Sequence, residues 1–495
     1  MQIKNGIRKW SLFALGLSCV LSFGGSAFGA QTENGEIDTS KKVEISWYFV
    51  GNGEEDTKKV EAAINNYIEK YTDLNCTLKL NCIDWINYDE KMAAKIASGE
   101  SFDICFTSYW MNDYYTNYTG FWNLDEALPI YAPKTKAMLG EDYLNGAKIN
   151  GKLYAIPCNK VKGTQYGLIV REDVANNYNM DLSGVKTLDD MEPFLTTIKD
   201  LEPDMEALHN KHDESAIGVL PYEYIVEYGI PGAVKRNTSD YKVVNQYVTE
   251  EAKAYYGLMR KYYLKGFMKK DSFSSNPYGD GSFFVTTETL YPAKLRELEE
   301  AYGYKYISIP LTKPYMRGYE STGSMLAISK TSKYPERALR LIERVNTDPQ
   351  LNNLINFGIE GDHYKVVGKS GNTKIIRPTN NNEAYNPSAG WMFGNQFLNY
   401  VYENQAPDIW AKTEVFNNQL VKSKILGFHF DASPVANEMA KCNEVYRNYV
   451  MPLQAGELDP DKYVPIMEKE FKKAGSDKVI AEMQKQLESW RSKAK

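Results

Sequence analysis

The chain has 495 residues, 43% of them hydrophobic, and its 64 Asp and Glu outnumber its 58 Lys and Arg, so the formal net charge is −6. This acidic balance disfavours a nucleic-acid partner, because binding to a phosphate backbone relies on Lys and Arg. The length exceeds one ordinary domain and predicts two lobes, each with its own hydrophobic core.

Residues 1–30 have the layout of a secretory signal. Lys4, Arg8 and Lys9 precede an apolar run at 10–23, which gives way to small residues. The run is shorter than the roughly 20 apolar residues that span a bilayer stably. We therefore expect export of the mature chain, to the cell surface or extracellular space, or to the periplasm where there are two membranes.

Two ways of processing this signal remain open. Cleavage after Ala27 or Gly29 would release the mature chain, whereas lipidation of Cys19 would anchor it. Gly16 stands where a lipidation signal usually has Leu, and the residues after Cys19 continue the apolar run. The pattern therefore favours Cys19 as part of the signal core and disfavours the anchor.

The first part of the mature chain alternates between strand-like and helical patterns. Runs rich in β-branched and aromatic residues, such as VEISWYFV at 43–50, are separated by turns and longer helical stretches. The predicted elements are strand 43–50, helix 56–71, strand 77–83, helix 87–97 and strand 102–106. This alternation predicts a mostly parallel sheet.

Candidate binding residues follow the first and third of these strands. In a parallel sheet the loops at the carboxyl ends of the strands build the binding crevice. Loops 51–56 and 107–115 carry Asn52, Asp56, Trp110, Asn112, Asp113 and Tyr114. Their stacking faces and hydrogen-bonding groups match a polyhydroxylated ligand. The alternative is that they are ordinary turn residues, since Asn, Asp and Gly favour turns by themselves.

After GKLYAIP at 151–157 the pattern indicates a change of lobe. The predicted elements are strand 166–170, helix 187–201 with Thr187 as its N-cap, strand 216–220, helix 250–263 and strand 282–286. The third of these would place Tyr222 at a strand end. A strand at 323–329 then leads into helix 335–346, with Pro335 in its first turn.

The cysteines of the mature chain show no regular spacing. They are Cys76, Cys82, Cys105, Cys158 and Cys442. Such an odd and irregular set does not imply a disulfide framework. We predict buried free thiols for most of them.

Several motifs together resemble the extracellular solute-binding proteins of ABC sugar importers. GKLYAIP at 151–157 is followed by the small-residue strand 323–329, SKTSKYPERALRLIERV at 329–345 and NTDPQLNNL at 346–354. Later motifs are similar to one subgroup with a C-terminal segment of uncharacterised role: GIEGDHY at 358–364, WMFGNQF at 391–397, ILGFHFD at 425–431 and AEMQKQLESWR at 481–491.

The resemblance implies an α/β fold of the two-lobed, periplasmic-binding-protein-like type II class, a clamp with crossover hinge strands. Residues 43–157 plus 323–385 are expected to form lobe 1, and residues 158–322 plus 386–495 lobe 2, with the family-specific segment within 358–491. Such a protein captures a carbohydrate, expected here to be an oligosaccharide, by lobe closure and delivers it to membrane permease subunits. A monomer without cofactor, metal or catalytic residue is expected, with ATP hydrolysed by a separate subunit.

The predicted ligand contacts combine aromatic and polar residues. Stacking on sugar rings is predicted for Trp110, Tyr222 and Trp391, whereas the alternation within strand 43–50 favours a core position for Trp47. The remaining candidates are Asn52, Asp56, Asp113, Tyr114, Asn159, Glu360 and Asn395. For Glu360 and the nearby His363, a turn after Gly358 explains the local sequence equally well.

Two other classes of function stay open from the sequence. A secreted glycoside hydrolase would need two carboxylates flanking a bond, which an acid-rich chain could supply. The chain has no G-x-S-x-G, H-E-x-x-H or C-x-x-C motif, and His209 with His212 lacks a third metal ligand at suitable spacing. A surface glycan-binding adhesin would often show repeats or low-complexity stalks, which are absent from the sequence.

Overall fold

The computed structural model describes residues 36–111, 114, 117–211, 217–270 and 277–493. The signal, both cleavage positions and Cys19 lie outside the described residues, as do the candidates Asn112 and Asp113. The described residues from Asp38 onwards form one compact unit.

The main strands form two sheets. The first has the order β2 (Cys76–Ile83), β1 (Val43–Val50), β3 (Ile104–Thr107), β13 (Met325–Ile328) and β4 (Ala155–Pro157). The second has the order β11 (Tyr306–Pro310), β5 (Gln165–Arg171), β10 (Phe283–Leu290) and β6 (Glu206–His209). We call the parts of the chain built on these sheets the first and the second lobe.

Strand direction differs between the two sheets. In the first, β1 is parallel to β2 and β3, as the alternating pattern predicts, and β13 is antiparallel to β3 and β4. In the second, β5 is antiparallel to both β10 and β11, and only β10 with β6 is parallel. The second sheet is therefore mostly antiparallel, and local patterns do not encode the direction in which its distant strands pair.

Smaller sheets complete the strand set. They are β7 (Tyr222–Tyr224), β8 (Ala233–Lys235) and β9 (Val243–Val244), then β14 (Tyr364–Ser370), β15 (Thr373–Pro378) and β16 (Val401–Tyr402), and finally β12 (Tyr315–Met316) with β17 (Val421–Lys422). The last pair joins the chain that leaves the second lobe to the C-terminal region, residues 403–493.

The helices pack on these sheets and form most of the C-terminal region. In chain order they are α1 (Thr57–Tyr71), α2 (Tyr88–Ser98), α3 (Ala127–Tyr131), α4 (Pro133–Leu139), α5 (Glu141–Asn145), α6 (Glu172–Asn177), α7 (Glu192–Leu201), α8 (Glu250–Leu264), α9 (Pro277–Asp280), α10 (Lys294–Tyr302), α11 (Pro335–Thr347), α12 (Pro349–Phe357), α13 (Ile409–Asn418), α14 (Ala436–Val445), α15 (Met451–Gln454), α16 (Pro460–Ala474) and α17 (Ser476–Lys493). None of the helices within the described ranges combines the length and apolar character needed to cross a bilayer.

One predicted strand is wrong. Residues 217–220 form a turn, in which the Leu220 amide donates to the Ile217 carbonyl over 3.0 Å, and the strand begins only at Tyr222. The guanidinium of Arg236 donates to the main-chain carbonyls of Gly218, over 2.7 Å, and of Leu220. A distant side chain therefore takes the carbonyls that a strand partner would otherwise use.

The cores contain the predicted apolar positions. Trp47 on β1 is completely buried and its ring meets that of Phe393 edge to face at 5.8 Å, which agrees with the predicted core position. The described cysteines are free thiols, and those at 76, 105, 158 and 442 are buried, as predicted for most of the set. In the second lobe, α8 packs against α15 and α16 of the C-terminal region.

Candidate functional site

Three tryptophans lie together beyond the carboxyl ends of β2 and β3. The Trp85 ring is nearly parallel to those of Trp110 and Trp391, with centroids 6.2 and 6.4 Å away. Phe106 lies beneath them, 5.6 Å from Trp391 and 5.9 Å from Trp110. Trp85 and Trp110 remain 47% and 44% exposed, so large apolar faces meet solvent here. Exposed aromatic faces of this kind mark a surface for recognition.

Main-chain and side-chain hydrogen bonds hold this tryptophan cluster in place. The Trp110 indole N–H donates to the Gly323 carbonyl over 3.0 Å, and the Trp391 carbonyl accepts from the Ser324 hydroxyl over 2.8 Å. Asp84 fixes the turn that carries Trp85, because its carboxylate accepts from the amides of residues 86 and 87 over 3.2 and 3.1 Å. The rings are thus presented by short, braced turns.

The surface continues into the chain that connects the lobes. The Tyr109 ring, next to Trp110, packs on Tyr319 with a centroid distance of 4.5 Å, and the Arg317 guanidinium lies 4.8 Å from the Tyr319 ring. The Tyr109 amide donates to the Thr322 carbonyl over 2.8 Å. Residues 317–324 therefore link the first lobe to the strands of the second.

Glu320 organises the cations in this connection. Its carboxylate is buried and lies 3.2 Å from Arg317 and 3.6 Å from Lys160. Burial alone would raise the pKa of Glu320, but the charges of Arg317 and Lys160 hold it below its ordinary value. The connection therefore carries an ionised, fully paired acid.

A pocket on the second lobe forms the far end of this surface. Its lining is Tyr166, Tyr222, Glu223, Tyr224, Arg236, Tyr315, Arg317 and Tyr319. Because Tyr319 both lines this pocket and stacks on Tyr109, aromatic side chains run from the tryptophan cluster to the pocket. The cavity has a volume of only about 10 Å³ and most of its lining is buried, so a sugar ring does not fit inside it in this structure. Arg317 and Tyr319, which are half-buried, are the lining groups that stay accessible to a ligand.

The structure brings some predicted candidates to this surface. Trp110 and Trp391 lie in the tryptophan cluster, and Tyr222 lines the second-lobe pocket, with its hydroxyl donating to Glu251 over 3.1 Å. Asn52 is exposed in the loop after β1, where its carbonyl is 3.6 Å from the Cys82 thiol.

Other candidates lie in buried or peripheral positions. Tyr114 is fully buried and its hydroxyl donates to the Ala147 carbonyl. Asn159 and Asn395 are buried and hydrogen-bond each other over 3.0 Å. Glu360 forms a 2.9 Å ion pair with Lys374 on the surface, outside the tryptophan cluster and the pocket lining. These contacts favour structural roles, since the polar atoms already have protein partners.

Asp56 belongs to a separate charged group. Its carboxylate lies 3.1 Å from both His363 Nε2 and Lys59 Nζ, and Lys59 also pairs with Asp362. Hydrogen bonds from His363 and Lys59 lower the pKa of Asp56, and that from Lys59 lowers the pKa of Asp362. The ligand atoms of Asp56, Asp362 and His363 lie within 4.8 Å of one another, which could suit a metal ion. The Lys59 ammonium already pairs with both carboxylates, so the group forms an ion-pair network.

Sequence reasoning missed Trp85, Tyr109, Arg317 and Tyr319. A signal for Trp85 was present, because it follows β2 just as Trp110 follows β3, at the same edge of a parallel sheet. Arg317 and Tyr319 had no such signal. They reach the surface only through the path of the chain between β12 and β13.

Comparison with known proteins gives matches along nearly the whole chain. A family model described as bacterial extracellular solute-binding protein matches residues 62–359, and one described as a domain of unknown function (DUF3502) matches residues 424–492. A carbohydrate ABC transporter substrate-binding protein of Streptococcus pneumoniae is 27% identical over 98% of this chain and 99% of its own length.

Solved structures show the same fold. The crystal structure of an N-glycan transport solute binding protein from Streptococcus pneumoniae has a TM-score of 0.78 at 24% identity, covering 91% of this chain and 100% of that one. Its complex with Man5GlcNAc has a TM-score of 0.63 at 25% identity, covering 91% and 99%. An extracellular solute-binding protein from Bifidobacterium longum subsp. infantis has a TM-score of 0.61 at 14% identity, covering 91% and 98%.

Proposed function

Since the chain belongs to the bacterial extracellular solute-binding proteins, as the sequence motifs predicted, we propose that it captures a carbohydrate outside the cell for an ABC importer. The two-lobed α/β fold is the one predicted. The single observation that carries the carbohydrate proposal is the cluster of exposed Trp85 and Trp110 with half-buried Trp391. Flat aromatic faces pack well on the apolar faces of sugar rings, while neighbouring polar groups bind the hydroxyls.

The relatives support an oligosaccharide as the ligand. The matching protein of Streptococcus pneumoniae is named as a carbohydrate transporter component, and a solved relative is in complex with Man5GlcNAc. The surface described above extends from the tryptophan cluster along Tyr109 and Tyr319 to Arg317, so it offers contacts to more than one sugar unit. We therefore propose that the chain captures an oligosaccharide as a monomer.

Delivery would depend on closure of the two lobes. A ligand that touches both lobes only when they approach each other shifts the equilibrium towards the closed form. Membrane permease subunits would then receive the ligand, and a separate ATPase subunit would drive its transport. We also propose export of the chain, with the signal cleaved after Ala27 or Gly29. Mass spectrometry of the mature N-terminus would reveal a diacylglyceryl-Cys19 if the chain is anchored instead.

We propose lobes close to those predicted, with one boundary moved. Residues 43–157 and 323–385 remain lobe 1, and 158–322 with the C-terminal region remain lobe 2. Residues 386–402 fit lobe 1 better, because Phe393 packs on Trp47, the Asn395 amide donates to the Asn346 carbonyl over 3.0 Å, and β16 pairs with β15. With this later boundary Trp391 belongs to the first lobe, and we propose that it faces the cleft from there.

The alternative of a glycoside hydrolase finds little support at this surface. Three acids near it within the described residues are already bonded. Glu320 is paired with Arg317 and Lys160, and Glu223 accepts three hydrogen bonds from protein groups. Asp84 is used in the turn that carries Trp85. We therefore propose binding without turnover.

Calorimetry with two oligosaccharides, Man5GlcNAc and kestose, tests the proposed binding, and chromatography tests the proposed absence of turnover. Trp85→Ala, Trp110→Ala and Trp391→Ala should each weaken binding of the accepted sugar by about tenfold or more, since an aromatic contact contributes roughly 0.5–1.5 kcal/mol beyond its buried area. Tyr71→Ala is the matched control, because Tyr71 is 58% exposed on α1 and lies outside the tryptophan cluster. Chromatography of the same mixtures should show intact sugar, and release of shorter products would establish the hydrolase instead.

A further inference from the structure

The C-terminal segment, residues 421–493, lies beside the chain that enters the second-lobe pocket. Its first strand, β17, pairs in parallel with β12. The Ser423 amide donates to the Met316 carbonyl over 2.8 Å, and the Gly427 amide donates to the Gly318 carbonyl over 2.9 Å. The segment is therefore hydrogen-bonded to the main chain on both sides of Arg317, which lines the pocket.

Glu223 is the point at which the segment and the pocket meet. This carboxylate is 4% exposed and accepts hydrogen bonds from the Ser423 hydroxyl over 2.6 Å, the Tyr315 hydroxyl over 2.5 Å and the Gly318 amide over 2.6 Å. Burial raises the pKa of Glu223, and the hydrogen bonds from Ser423, Tyr315 and Gly318 oppose that rise. Removal of one donor leaves a desolvated acceptor poorly satisfied, so this junction resists rearrangement.

The same segment also supports the small sheet β7–β9, which carries Tyr222. Val234 and Val243 of that sheet share one apolar core with Met483 and Leu487 of α17. The Gln484 side chain accepts a hydrogen bond over 2.8 Å from the amide of Val243, the first residue of β9. The wall of the pocket thus rests on helices of the C-terminal segment.

We propose that the C-terminal segment, of which residues 424–492 match a family model described as a domain of unknown function, positions the pocket-lining residues Arg317, Tyr319 and Tyr222. The positioning residues are Ser423, just before the matched range, and Glu223 of β7. These two residues hold the turn at Gly318, which lies between Arg317 and Tyr319. The role in ligand capture rests on the proposed function, whereas the positioning itself does not.

Hydrogen exchange of the ligand-free mature chain tests the positioning directly. Ser423→Ala should increase exchange about tenfold at the amides of residues 315–319, because a hydrogen bond to the buried Glu223 carboxylate is lost. Ser433→Ala is the matched control, since the Ser433 hydroxyl donates to exposed Asp431 in the same segment, over 2.6 Å. Ser423→Thr keeps the hydroxyl and should restore slow exchange.

The binding arm separates this proposal from the proposed function. With Man5GlcNAc as the probe, Ser423→Ala should weaken binding about tenfold while Ser433→Ala binds as the unmodified chain does. If the unmodified chain binds no Man5GlcNAc, the proposed choice of ligand fails, and the exchange comparison still decides the positioning role. Equal exchange at residues 315–319 in the two alanine variants would overturn the proposal. Should Ser423→Ala not fold, Tyr315→Phe removes a second donor to Glu223 and carries the same expectation.

Discussion

At the scale of single residues, position in the sheet separates two tryptophans with opposite roles. Trp47 lies within β1, where alternation turns it towards the core, and no part of it reaches solvent. Trp110 lies just beyond the end of β3, and it remains 44% exposed beside Trp85. The same type of side chain is therefore buried in the core within a strand and exposed one turn past a strand end, where we propose that it binds the ligand.

Substitution by alanine should separate these roles. Trp47→Ala should lower the free energy of unfolding by roughly 3–5 kcal/mol, because it leaves a large cavity in the core. Trp110→Ala should change it by less than about 1 kcal/mol, as is usual for exposed positions. Urea unfolding of the ligand-free chain measures both values, and a loss at Trp110 as large as that at Trp47 would place Trp110 in the core.

At the scale of elements, the C-terminal helices and the β7–β9 sheet are fitted closely to each other. Gly232, just before β8, has φ +140°, and a Cβ built there would lie 2.1 Å from Met483 Sδ. A residue with a side chain is strained at this φ and also meets α17. The β7–β9 sheet and α17 therefore pack in direct contact at Gly232, where Met483 lies in their shared core.

Gly232→Ala should therefore destabilise the second lobe. We expect a loss of about 1–3 kcal/mol in the free energy of unfolding, from overpacking together with backbone strain. Gly184→Ala serves as the comparison, because a Cβ at Gly184 meets nothing within 4 Å. Thermal melting followed by circular dichroism measures the two variants, and equal stability would show that α17 moves freely to admit the methyl group.

At the scale of the whole molecule, chain segments that run between the sheets carry part of the proposed binding surface. Residues 317–324 hold Arg317 and Tyr319, and the Tyr109–Tyr319 contact joins the end of β3 to this connection. A ligand held here would touch the connection as well as both lobes. Binding and lobe movement are thereby expected to be coupled.

Small-angle scattering should detect this coupling. Saturating Man5GlcNAc should decrease the radius of gyration of the mature chain, because contacts with both lobes favour the closed form. Trp110→Ala at the same sugar concentration should show a smaller decrease, since its binding is weaker. Calorimetric binding of Man5GlcNAc with no change in the radius of gyration would instead mean that the chain binds without closing.

The sequence alone predicted the elements whose signals are local. β1 was predicted at residues 43–50 and α11 to within one residue, because strand alternation and an initial proline need no distant partner. Trp110 as a candidate also follows from one strand and its loop, and the motifs in their order identified the family.

Only the tertiary structure decided which residues meet. It placed Trp85 against Trp110 and Trp391, bonded Asn159 to Asn395 and Asp56 to His363, and replaced the strand predicted at 216–220 by a turn bonded to Arg236. It also brought Ser423 to Glu223, 200 positions apart in the chain. The physical reason is the same in each case: a local pattern determines which way a side chain turns, whereas its partner depends on the packing of whole elements from distant parts of the chain.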